Sequence, residues 1–172
     1  MSFRAPAHLG GNTFRAVSEA PFELSATIDI PAGRGLTTAD RLRFFEIGAN
    51  HQVVELTVTT DDLDANGVPT ITLNAGFESH NTGVTASNLT AFASASPVGQ
   101  AGGTARFEPT TAAPGANYTV TLSPQAGAAT APAGATRVTV TAAVVPVRAN
   151  AVPLLGTGLG AAYDHGRPNP TV

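Results

Sequence analysis

The sequence predicts an all-β fold: an antiparallel β-sandwich, or jelly-roll-like domain, with one short helix and an extended arm at each end. Three observations carry that prediction. About seven short runs alternate apolar and polar residues with a period of two, the signature of half-buried strands. Clusters drawn from 18 glycines and 13 prolines separate those runs. Residues 1–22 and 147–172 show no sustained period. The domain boundaries that follow are an N-terminal arm (1–22), a sandwich (23–146) and a C-terminal arm (147–172).

In "LSATIDI", Leu24, Ala26, Ile28 and Ile30 share one face and Ser25, Thr27 and Asp29 the other. "PAGRG" breaks that strand, and "DRLRFFEI" is a second, less regular one. "HQVVELTVTT" places Val54, Leu56 and Val58 together against Glu55, Thr57 and Thr59; "TITLNAG" groups Ile71, Leu73 and Ala75. The helix is expected at Thr85–Ala93. There Thr85, Ser87 and Asn88 are N-cap candidates and Leu89, Phe92 and Ala93 have helical spacing, with Pro97 beyond the end. "TARFEP", "NYTVTLSP" and "TRVTVTAAVV" complete the strands, the last with Val138, Val140 and Ala142 opposite Arg137, Thr139 and Thr141. Short strands punctuated by turns argue for two packed sheets. The arms, poor in charge and rich in small and apolar residues, are expected to order only against a partner, because ordering a residue costs about 1–2 kcal/mol of backbone entropy. "NTFRAVSEAPFEL" and "AAVVPVRANAV" are the segments expected to add to a sheet edge.

Composition narrows the function. The 172 residues suit one domain, which at this size buries enough surface to need no covalent staple. There is no cysteine, which excludes disulfides and thiolate metal sites. Net charge is −3, and all 9 basic residues are arginines scattered along the chain, so no nucleic-acid footprint is present. No apolar run approaches the roughly 20 residues of a membrane span, and "MSFRAPAHLGGNTFR" does not read as a secretory signal. Only 12% of residues are charged, against a usual figure of about 25%. A stable protein with so few charges has a surface covered by partners, or one rich in Thr, Ser, Asn and Gly.

One stretch spells half of a metal site. From Asp62, "DLDANG" matches the start of a calcium loop, with Asp64 and Asn66 in ligand positions and Gly67 at the turn. The required glutamate at position 12 is Leu73, position 8 is Pro69, and both flanks alternate like strands. The EF-hand reading therefore fails. A calcium site of another kind, from Asp61, Asp62 and Asp64, stays open, while the preferred reading is a wide hairpin loop. In it Asn66-Gly67 would supply positive φ, Asp64 would bond its own backbone, and the aspartates would form an exposed tip. Enzyme signatures are poor. His8, His51, His80 and His165 have no partner at metal spacing, and His51, His80 and Glu78 are the set a fold could still assemble for zinc. "GQAGG" lacks the lysine of a phosphate loop and reads as a flexible turn; no nucleophile elbow or cysteine nucleophile occurs, and no cofactor is expected.

The order of pieces is informative. "RLRFFEI", "VVELTVTT", "DDLDANGVPTITLNAGF", "ASASPVGQAGGTARF", "YTVTLSP" and "AGATRVTVTAAVV" follow one another between Leu24 and Val145. This arrangement resembles the virion structural proteins of tailed bacteriophages, notably small capsid decoration (cement, auxiliary head) proteins. In that group the D-D-L-D-x-N-G-x-P-T-x-T-L stretch and a Gly-Gly element before a later strand recur. The resemblance implies a non-enzymatic homodimer or homotrimer made in the host bacterial cytoplasm. It would bind the major capsid protein lattice on the outer capsid surface, with no nucleic-acid or membrane partner. A head–tail connector, tail or receptor-binding module is the alternative. A bacterial surface adhesin fits less well, for want of a signal segment.

Overall fold

The computed structural model describes residues 2–4, 21–109 and 114–147. Nine strands are present among them: β1 (Ser2–Arg4), β2 (Phe22–Ile30), β3 (Arg41–Ile47), β4 (His51–Thr60), β5 (Thr72–Ser79), β6 (Asn88–Ser96), β7 (Gly103–Phe107), β8 (Tyr118–Ala126) and β9 (Thr136–Pro146). They form two sheets, ordered β1-β3-β8-β5-β6 and β2-β9-β4-β7. All pairings are antiparallel except that of β1, which runs parallel to β3 at the sheet edge. Most of both predicted arms lies outside the described residues; Ser2–Arg4, assigned to the N-terminal arm, is a strand.

The two-residue period sets what is buried. Ala26, Ile28 and Ile30 of β2, Leu56 and Val58 of β4, and Val138, Val140, Ala142 and Val144 of β9 face Leu42, Phe44, Leu73, Ala75, Phe77, Tyr118, Val120 and Leu122 of the other sheet. Burying each large apolar side chain is worth about 1.5–3 kcal/mol, so this single core dominates stability. Phe77 meets Tyr118 edge-on at 5.4 Å between ring centroids. The expected alternation fails at one place in β4. A bulge between Val53 and Glu55 turns both Val53 and Leu56 inward, and Val54, expected beside Leu56, faces solvent at 37% exposure.

The predicted helix is replaced by a strand. Asn88–Ser96 pairs with β5, joining Leu73 to Ser96, Ala75 to Ala93 and Phe77 to Asn88. Without it, the backbone groups along that side of β5 would have no partner. The segment is rich in Asn, Thr and Ser, whose side chains compete with helical hydrogen bonds, so its weak helical spacing is overridden. Extra residues bulge out at two points. At one of them Ala95 takes φ +53° and donates its amide to Asn74 Oδ1 at 2.9 Å. The strand also crosses tightly over Gly76: a Cβ there would lie 2.1 Å from the Asn88 carbonyl oxygen.

"DDLDANGVP" is not a hairpin loop. It joins β4 of one sheet to β5 of the other, because the neighbours of β4 are already β7 and β9. The sandwich consequently has two unlike ends. At one, the connections 31–40, 61–71, 97–102 and 127–135 converge; we call it the clasp end. At the other, β2 begins and β9 finishes side by side, with Phe22 opposite Val144.

Candidate interaction surfaces

The clasp end is built on Asp64, which is fully buried rather than at an exposed tip. Its Oδ2 accepts from the amides of Thr70 (2.8 Å), Ala129 (3.0 Å) and Ile71 (3.3 Å), and its Oδ1 from Thr130 (2.9 Å) and Asn66 (3.4 Å). Burial by itself would raise the Asp64 carboxyl. The amides of Ala129, Thr70, Thr130 and Ile71 outweigh it and hold the group well below the usual carboxylate range. An ionised carboxylate accepts at both oxygens and donates from neither, so Asp64 holds amides of its own loop and of residues 127–135 together. Asp62 Oδ1 accepts from the Asp64 amide at 3.0 Å, and Asp61 Oδ2 from the Arg137 amide at 2.8 Å.

The glycine pair of "GQAGG" belongs to the same clasp. Gly102 and Gly103 have φ of +71° and +130°. A Cβ on Gly102 would stand 3.0 Å from the carbonyl carbon of Asp61 and the nitrogen of Asp62. Gly102 is therefore a close-approach residue, not a flexible spacer. Leu63, buried, donates its amide to Gly99 O at 2.9 Å. Neither Asn66 nor Gly67 takes positive φ, so the expected tight turn is not the device used. A second buried carboxylate, Asp40, closes the β2–β3 connection through the Thr37 amide (2.8 Å) and Arg34 (2.9 Å).

The three aspartates that carried the calcium expectation are thus each held by backbone amides, two of them exposed and one buried. No group of three or more His, Asp or Glu side chains is placed to hold a metal among the described residues. His51, His80 and Glu78 are not gathered. His51 is buried against Phe22, with ring centroids 5.6 Å apart, and its carbonyl accepts from the Tyr118 hydroxyl at 3.0 Å. His80 Nε2 shares a 2.7 Å hydrogen bond with Thr119 Oγ1, and Glu78 is paired with Arg43. His8 and His165 lie outside the described residues. Arg41, Arg43, Glu78, His80, Leu89 and Thr119 line an open groove of ≈ 510 Å³ on the outer face of the five-stranded sheet. The Arg43–Glu78 pair crosses β8 there, and Arg41 donates to the Thr38 and Asp40 carbonyls.

The outer face of the four-stranded sheet explains the low charge. Register places Ser25, Thr141 and Thr57 in one row across β2, β9 and β4, with Arg106 of β7 beside them. Thr27, Thr139, Thr59 and Thr104 form the next row across all four strands. Their hydroxyls bond along the rows: Ser25 to Thr141 at 2.9 Å, Thr27 to Thr139 at 2.8 Å and Thr59 to Thr104 at 2.9 Å. Ion pairs appear at its margins, Arg137 with Asp29 and Arg106 with Glu55. The "x-T-x-T" alternation was readable in the sequence; that the rows align was not, since register is a tertiary property.

The opposite end ties the sheets and holds the start of β2 and the finish of β9. Tyr118 of one sheet bonds His51 of the other, Asn117 Oδ1 accepts from the Ala49 amide at 3.0 Å, and the Val147 amide donates to Asn50 O at 2.7 Å. Residues preceding β2 and following β9 therefore attach to one rigid end.

Two solved structures resemble this chain. One is a chain of the cyanophage Pam1 capsid asymmetric unit, 30% identical, with a TM-score of 0.56, covering 73% of this chain and 85% of that one. The other is a chain from the capsid of Ralstonia phage GP4, 26% identical, with a TM-score of 0.60, covering 85% of this chain and 98% of that one. No family model and no curated protein matches.

Proposed function

The chain belongs to the structural proteins of bacteriophage capsids, and from that premise we propose that it is a non-enzymatic decoration protein. In this reading it binds the major capsid protein and copies of itself on the outer capsid surface and stabilises the head. The observation that carries the reading is the polarity of the sandwich. Connections are clasped at one end around Asp64, and the flanking segments leave from the other, where Phe22 lies opposite Val144. A rigid body with two tethers at one pole suits attachment to a repeating shell, where modest contacts add through effective concentration. The hydroxyl face and the net charge of −3 allow many copies to sit side by side with little mutual repulsion.

The flanking segments are the proposed capsid contacts. Deleting residues 1–20 or 150–172 is expected to weaken co-sedimentation with particles that lack the protein, and to leave the melting temperature of the sandwich within a few degrees. If both truncated forms bind as the full chain does, the tether reading is wrong.

A further inference from the structure

We infer that β1 is an exchangeable strand: in the assembled capsid, Ser2–Arg4 of one copy pairs with Arg41–Arg43 of a neighbouring copy. The inference rests on the capsid reading and adds the partner and the register. β1 differs from the other strands. It is three residues long, parallel, and, among the described residues, at the sheet edge, joined to β3 through Ser2 with Arg41, Phe3 with Leu42 and Arg4 with Arg43.

The distance to be bridged is small and the connection is long. β1 points toward the end where β2 begins, since it runs parallel to β3 and β3 ends at Ile47 opposite Tyr118. β2 and β3 contact one another from the two facing sheets. One strand spacing, one sheet separation and four residues of strand put Arg4 and Phe22 under about 20 Å apart. Residues 5–21, 17 in number, join them. Fully extended, that many residues reach roughly 55–60 Å. The chain needs only about a third of its reach to pair with its own β3.

The contact made is chemically the same whether β3 belongs to the same copy or the next, so only the tether decides between them. A connection of 17 residues gives its own β3 an effective concentration on the order of millimolar. Free chains at micromolar concentration therefore close on themselves. On a lattice that brings a neighbouring β3 edge within the same reach, that edge competes at comparable local concentration, and exchange then links subunits without any new interface.

The chain has no cysteine, so introduced pairs are unambiguous. Register partners on adjacent strands lie about 4.8 Å apart, within range of a disulfide. Particles assembled with an equimolar mixture of Ser2→Cys and Arg41→Cys chains are oxidised and run without reductant, beside particles carrying either variant alone. Exchange predicts mixed dimers, on the order of a tenth of the chains or more, in excess of both controls. The double variant in one free chain should close on itself and confirm the register; its failure to close would sink the inference. So would self-closure of the double variant on particles with no mixed dimers between single variants. Absence of the protein from purified particles would remove the capsid reading itself, a separate and recognisable result.

Discussion

Replacing Asp64 by asparagine keeps the volume and one acceptor and turns the other oxygen into a donor facing amides. Whichever way the amide is set, its NH2 meets either the Thr130 side or the Thr70, Ile71 and Ala129 side. A hydrogen bond to a charged group is worth about 1.5–3 kcal/mol net, and a stranded buried donor costs about 1–3 kcal/mol. The three shortest bonds do not add fully, so a loss of about 2–4 kcal/mol is expected for Asp64→Asn and about 4–6 kcal/mol for Asp64→Ala. At a urea slope of about 1.5 kcal/mol/M, the asparagine variant should unfold roughly 1.3–2.7 M earlier at pH 7. The pH dependence has a definite sign. The folded pKa of Asp64 is lowered, so its contribution is complete above the unfolded value of about 3.9 and is lost as pH falls toward the folded value. Urea midpoints of wild type and Asp64→Asn should stay separated by a constant amount from pH 7 to about 5 and converge below about 4. A variant within 1 kcal/mol of wild type at pH 7, or a gap unchanged down to pH 2, would refute the clasp argument.

Other substitutions test the two close approaches and the turn. Gly76→Ala puts a Cβ 2.1 Å from the Asn88 carbonyl oxygen; it should destabilise by more than about 3 kcal/mol and strip hydrogen-exchange protection from Asn88–Ser96, and retained protection would contradict the crossing. Gly102→Ala, with φ +71° and backbone at 3.0 Å, should cost about 2 kcal/mol or more in chemical denaturation. Gly67→Ala has open space and no positive φ, so its midpoint should stay within about 0.5 kcal/mol of wild type; a large loss would restore the tight-turn reading. Millimolar calcium should leave the melting temperature unchanged, since the Asp64 oxygens are already taken by amides; a rise abolished by Asp62→Asn would reopen the metal site.

The strands were legible because alternation is local. "LSATIDI" and "TRVTVTAAVV" face as their period says, since each covers one core. Val54 was misplaced because a bulge adds one residue to β4, and nothing in "VVEL" marks it. Asn88–Ser96 was misread because its partner, β5, is what makes it a strand. The Asp-rich stretch and the Gly-Gly pair were visible as separate oddities. That they meet, with Asp64 taking amides from residues 65 positions away and Gly102 lying against Asp61, required the crossing between sheets. Local alternation alone pairs neighbouring strands as a hairpin; β4 instead has β9 and β7 as its two partners.

The claim that the protein coats a capsid through one pole is tested most directly by cryo-imaging particles with and without it. Difference density is expected in hundreds of copies on the outer surface of the head, with the end that holds Phe22, His51 and Pro146 toward the shell and the Asp64 clasp toward solvent. Difference density confined to the tail or to a single vertex, or the clasp end buried against the shell, would contradict it.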